Sequence, residues 1–267
     1  MNIKKNMKKW LFLALILSAV CIETVSAARL QSCQNQASTA NQAVVTNVVS
    51  VSESASNRDE LVGDEESGNR EIVASNSDLG VQIDGVADEQ GSYGQLTLRT
   101  PVFQCSLSGT QVQNPTYAPQ ITTADLDGDG QKEFIIHLTS GYGTGVELNS
   151  VQVFRQNGDS IPVQSLNEAI GNQFHSAVQG SNLTLTLNGK TSSIPLSQLA
   201  EQPDTQQNTP PVTGGAVQQY EVNGNTLSAI YSLQVGMMTY IGELHANYQY
   251  ENGTLQLAPA SLELEQQ

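Results

Sequence analysis

A mostly β fold is predicted, with antiparallel hairpins forming a sandwich or propeller-fragment-like single domain and one short helix. Three observations predict it. Short alternations of apolar and polar residues recur through the C-terminal part of the chain. Between them stand Asn157-Gly158, Asn188-Gly189, Asn223-Gly224 and Asn252-Gly253, pairs that tolerate positive φ and so suit two-residue hairpin turns. One short helix is expected: Ser165-Leu166-Asn167-Glu168 fits a capping box, and Gly171 is placed to end it.

From the start of the chain, Lys4, Lys5, Lys8 and Lys9 precede an apolar run over Trp10–Ile22, and Val25-Ser26-Ala27 offers small residues for cleavage. Residues 1–27 are therefore expected to be a signal peptide and the protein to be secreted. The apolar run is short for a membrane span. Val20 before Cys21 fits a lipid-attachment site poorly, and Cys33 lacks an adjoining apolar run, so release is expected over lipid anchoring. Removing the leader takes four lysines and one glutamate from a chain whose formal charge is already −15. Such a surface repels nucleic acid and anionic lipid and attracts divalent cations.

Residues 28–77 are rich in Ser, Asn, Gln, Ala and acids. With so little apolar surface to offset ordering entropy, they are expected to form a disordered acidic and polar tether. Cys33 and Cys105 would remain after cleavage. One disulfide, two free thiols and pairing between chains are all compatible with their spacing.

Residues 78–267 suffice for a single β-rich domain. Leu183, Leu185 and Leu187 alternate with threonines before Asn188-Gly189 turns the chain towards Ile194. Leu227, Ala229, Tyr231, Leu233 and Val235 should share one strand face. Tyr240, Leu244, Ala246, Tyr248 and Tyr250 should share another, opposite Glu243, His245 and Asn247. The stretch 201–215, with Pro203, Pro210 and Pro211, is expected to be an inserted loop.

The one stretch that carries chemistry is Asp125-Leu126-Asp127-Gly128-Asp129-Gly130-Gln131-Lys132-Glu133. Calcium takes about six to eight oxygen ligands. Asp125, Asp127 and Asp129 would supply one side-chain oxygen each, Gln131 its carbonyl, and Glu133 a further carboxylate. Gly130 stands where the chain must turn sharply. An EF-hand is excluded, because its twelfth place needs a glutamate between two helices and here holds Ile136, between strand-like flanks. The competing reading is a metal-free acidic turn.

At these residues the chain resembles a known group. Ala124–Gly130 followed by Glu133-Phe134-Ile135-Ile136 is similar to the calcium loop of FG-GAP and VCBS repeats. Those families carry the loop several times and this chain carries it once, so the resemblance implies a single domain in place of a propeller. Asn114–Pro119 before the loop and Thr139–Gly145 after it add a likeness to uncharacterised secreted proteins of Gram-positive spore formers, covering residues 114–154. It implies a single extracytoplasmic domain and no established activity.

Gly141-Tyr142-Gly143-Thr144-Gly145 lacks the Lys-Ser/Thr pair and following helix of a phosphate loop. It is expected to be a wide hairpin tip near the metal loop, with Gly141, Tyr142, Gly143 and Gly145 as a candidate ligand loop. His137, His175 and His245 have no zinc-site spacing. No Gly-x-Ser-x-Gly motif occurs, and no histidine stands near Cys105, so no catalytic residue is assigned. The functional expectation is a secreted calcium-binding β module, binding or structural, whose partner is a cell-wall polymer or extracellular protein. The alternative is a secreted hydrolase acting on wall glycan or peptide.

Overall fold

The structure, a computed structural model, describes residues 33–35, 70–203, 210–236 and 239–265, within one compact unit spanning Ser32–Gln267. The expected signal peptide and most of the expected tether lie outside these residues.

The first sheet is built from β1 (Gln34–Asn35), β2 (Arg70–Asn76), β3 (Val81–Ala87), β4 (Ser92–Arg99), β5 (Phe103–Ser106) and β6 (Gln111–Val112). Its order is β1-β5-β4-β3-β2, with β6 also on β4. The domain therefore begins before the expected boundary at residue 78. The strand β2 escaped notice because it is an edge strand with little apolar burial, and Ile72 is 65 % exposed. Its place is fixed instead by a charge: Asp84 on β3 accepts from Arg70 Nε at 2.8 Å and from Arg99 Nε. Burial alone would raise the Asp84 pKa, but the two guanidinium groups outweigh it and hold the carboxyl below its usual range. On the other side of this sheet, β1 is tied to β5 by a Cys33–Cys105 disulfide, with Cα atoms 4.5 Å apart. Cys33 is thus committed to a bond that rules it out as a lipid attachment point.

A short 3-10 turn, Pro115–Tyr117, leads into the main sheet through β7 (Gln120–Ala124), β8 (Glu133–Gly143), β9 (Val146–Phe154) and β10 (Ser160–Ile161). The chain then leaves it for α1 (Leu166–Gln173) and a three-stranded sheet of β11 (Phe174–Gln179), β12 (Asn182–Leu187) and β13 (Lys190–Pro195). It returns with β14 (Thr213–Asn223), β15 (Thr226–Val235), β16 (Thr239–Glu251), β17 (Thr254–Leu257) and β18 (Ser261–Leu264). The nine-stranded order is β17-β16-β15-β14-β9-β8-β7, with β10 on β9 and β18 on β16. The excursion explains the parallel β9–β14 pair, since parallel neighbours require a long crossover. The expected loop 201–215 ends at Thr213, where β14 begins.

The main sheet is the middle layer. On one face Phe134, Ile136 and Leu138 pack with Ile83, Leu98 and Phe103 of the first sheet. On the other, Ile135, Val153, Leu227 and Leu244 pack with Ile170 of α1 and Leu185 of β12. Alternate side chains of β8 thus enter two cores, which is why its sequence reads as a continuous apolar run.

The helix keeps the expected start and loses its expected ends. Ser165 is the N-cap but makes no side-chain cap bond, and the helix runs through Gly171 to Gln173. Phe174 ends it by turning extended into β11. Of the four Asn-Gly pairs, Asn188-Gly189 and Asn252-Gly253 form two-residue turns with both φ positive. Gly224-Asn225, one residue on, makes the β14–β15 turn, and Asn157-Gly158 lies in a longer β9–β10 connection. The expected β16 face is also broken. Leu244, Ala246 and Tyr248 are buried, whereas Tyr240 is exposed and Ile241 takes the inner place. A bulge opposite Leu233 and Gln234 shifts the phase at Gly242.

Candidate metal centre

Ala124 and Glu133 are paired across β7 and β8, so residues 125–132 must reverse the chain between neighbouring strands. They do so through successive Asx turns. Asp125 accepts the Gly128 and Gly130 N–H groups at 2.8 and 3.1 Å. Asp127 accepts from Asp129 N–H at 3.2 Å, and Asp129 from Gln131 N–H at 2.7 Å. Gly130 has φ +88, the left-handed conformation that the sharp turn demanded. Leu126 is buried among Ala124 and Ile135, and its N–H donates to Glu133 at 2.7 Å. An acidic loop is thereby fastened to an apolar core.

Oxygen atoms of Asp125, Asp127 and Glu133 all lie within 4.8 Å of one another. Two oxygens on opposite sides of a calcium-sized ion are separated by about 5 Å, so the triad has the span of a divalent-cation site. Its all-oxygen chemistry suits a hard cation. Glu133 is only 1 % exposed. Burial pushes its pKa up, the Leu126 N–H draws it back, and the charges of Asp127 and Asp129 push it up further, for a net rise. A cation at the centre would reverse that balance.

Three of the five expected ligand residues are brought together. Asp129 is exposed and outside the triad, and Gln131, expected to offer its backbone carbonyl, is exposed. Arg155, at the end of β9, was not anticipated: its Nε and Nη2 donate to Asp127 Oδ2 at 3.1 and 2.7 Å. It also donates to the Tyr250 hydroxyl at 2.8 Å and lies over that ring, 5.8 Å from its centroid. The Asp127 side chain is 4 % exposed and the Arg155 side chain 29 %, so the carboxylate end of this ion pair is the end shielded from water. The available signal was the scarcity of cations in so acidic a chain.

The glycine-rich stretch is a hairpin tip, with Thr144-Gly145 between Gly143 and Val146. It stands at the opposite end of β8 from the metal loop, about 30 Å away for a strand of this length. The expected proximity is therefore corrected. Tyr142 in this tip is 47 % exposed, and its ring stacks on Tyr117 at 4.6 Å. Gly141 and Gly143 lie within β8. Among the described residues, none of the three histidines joins the metal-capable cluster.

No protein family, curated protein or solved structure matches the chain. No helix among the described residues is long and apolar enough to cross a membrane.

Proposed function

We propose that the chain is an exported, calcium-binding β module whose role is binding or structural, at the cell wall or beyond. The observation that carries this reading is the convergence of Asp125, Asp127 and Glu133 on one point, beside a buried core. The FG-GAP-like and VCBS-like sequence around the loop favours calcium among the hard cations. Export is supported by the charged and apolar leader and by the Cys33–Cys105 bond, of a kind that persists in oxidising compartments. A hydrolase gains no comparable support. Glu147, beside the glycine-rich tip, has both oxygens engaged by the amides of Asn149 and Gln219.

At an external calcium concentration of about 1 mM and a Kd of about 0.1–1 mM, the ion stabilises the fold by about 0.4–1.4 kcal/mol. Calcium then tightens a domain that already folds. The melting temperature should rise by about 1–5 °C with calcium and much less with magnesium, which demands a smaller octahedral shell. Asp125→Asn should abolish the rise, while Asp129→Asn should leave most of it. Equal responses from the parent chain and Asp125→Asn would reject the site.

A further inference from the structure

The main sheet opens a second site, remote from the metal loop. β9 and β14 pair only at Val217↔Glu147 and Gln218↔Leu148. Beyond that point they part, leaving a cavity of about 600 Å³ between β7–β9 and residues 219–223 of β14. Its size lies within the usual range for small-molecule pockets, about 300–1,000 Å³.

The wall is a connected polar network. Thr139 Oγ1 donates to Asn149 Oδ1 at 2.8 Å, and Asn149 Nδ2 donates to Glu147 Oε1 at 2.8 Å. Gln219 Nε2 donates to the other Glu147 oxygen at 2.8 Å. These bonds hold planar amide and carboxylate groups in one orientation before any ligand arrives. His137 and Thr122, whose residues line the same cavity, each hold a buried polar atom, Nε2 and Oγ1, without a hydrogen-bond partner. Burial pushes the His137 pKa down to about 4, so its ring is neutral near pH 7 and can give or take one hydrogen bond. Aromatic surface completes the lining: Tyr220 meets His137 edge-on at 6.5 Å, and Tyr117 is braced from behind by Tyr142.

The lining excludes most ligand classes. It contains no lysine or arginine and carries Glu147 and Glu221, which disfavours phosphates and other anions. Its polar character disfavours lipid. Adjacent donors and acceptors beside ring faces match a molecule whose hydroxyl groups both give and receive, and whose C–H faces lie on aromatic rings.

We propose that this cavity binds a neutral saccharide unit, with Asn149 and Gln219 contacting hydroxyl groups and Tyr117 covering a ring face. This deepens the binding reading by naming a ligand class, and it does not depend on the metal.

The test is amide-shift mapping by NMR of the full, isotope-labelled chain, titrated with cellobiose, maltose and N,N′-diacetylchitobiose, and with an uncharged five-residue β-forming peptide as comparison. At least one sugar should shift amides of residues 117–122, 137–149 and 219–223 saturably. Asn149→Ala should weaken binding by about tenfold or more. Tyr117→Ala, at the rim and outside both cores, should weaken it without unfolding the chain. Asp125→Asn should leave it unchanged, so failure of the calcium reading and failure of this one are separable. No saturable shift with any sugar would overturn the proposal. So would sugar binding indifferent to both pocket variants, or shifts along residues 219–223 with the peptide alone, which would mean strand addition at the free β14 edge.

Discussion

Asp127 is paired with Arg155, and a cation bound as proposed would compete with that guanidinium for the same charge. The Asp127 side chain is nearly buried, so removing Arg155 leaves a desolvated carboxylate without its ion pair. Arg155→Gln should therefore destabilise the calcium-free protein by about 1–3 kcal/mol. It should also increase the calcium-induced rise in melting temperature, because the ion then neutralises a charge that nothing else does. Calorimetry with calcium and with chelator reads both effects, and a smaller calcium response would show that Arg155 orients the site more than it competes with it. His137 gives a second residue-level prediction. Its pKa is lowered from 6.5 to about 4 by burial. Between those values the unfolded chain takes up a proton that the fold refuses, so stability is full above pH 6.5 and falls as pH drops towards 4. At about 1.4 kcal/mol per unit, the loss approaches about 3 kcal/mol. Glu133, whose pKa is raised, contributes the opposite slope just above 4.5. The His137 part is therefore the difference between the parent chain and His137→Gln in denaturant melts across this range. At this scale the loop aspartates and Glu133 were readable from spacing, because a turn between adjacent strands is local. Arg155 and the cavity around His137 were not, because residues far apart in sequence compose them.

Strands were readable wherever one face is buried without interruption, as along β12 and β15, and unreadable where the phase slips or charge replaces burial. β16 shows the first failure. Its alternation is sound from Leu244 onward, but Gly242 adopts φ +150 within a bulge and turns Tyr240 outward. Nothing in the alternation announces a bulge except the glycine itself. The reason for glycine is steric as well as conformational: a Cβ there would stand 2.3 Å from the Glu263 carbonyl oxygen of the adjoining β18. Gly242→Ala should destabilise the domain by about 2–4 kcal/mol, read as a lower denaturant midpoint. The damage should be local first, so hydrogen exchange at β18 should quicken more than at β15. Uniform exchange across the sheet would place the cost elsewhere than in the β16–β18 contact. β2 shows the second failure, since its anchor is Arg70 on Asp84, a pairing that periodicity does not report.

The three layers enclose two cores, and the described N-terminal piece, residues 33–35, touches the first of them through Cys33, which packs against it. It reaches the first sheet by two residues of pairing with β5 and by one covalent bond. Both cysteines were visible in the sequence, yet their pairing was not, because their closeness depends on where β5 lies in the folded sheet. The bond spans 72 positions, and in the chain-entropy view a closure of that length restrains the unfolded state by up to about 4 kcal/mol. Cys33→Ser should therefore lower stability by about 2–4 kcal/mol. Cys105 would remain as a small buried thiol in the first core, so packing there should survive. The calcium-induced rise should be retained, because the metal loop is fastened through Leu126 to the second core and not through the disulfide. Thiol titration of the oxidised parent chain under denaturant checks the premise: it should find no free thiol from this pair, and in Cys33→Ser it should find Cys105. A variant as stable as the parent would mean that the first sheet holds its N-terminal edge by hydrogen bonding alone. A variant that also loses its calcium response would mean that the two cores, which meet back to back across β8, do not act independently.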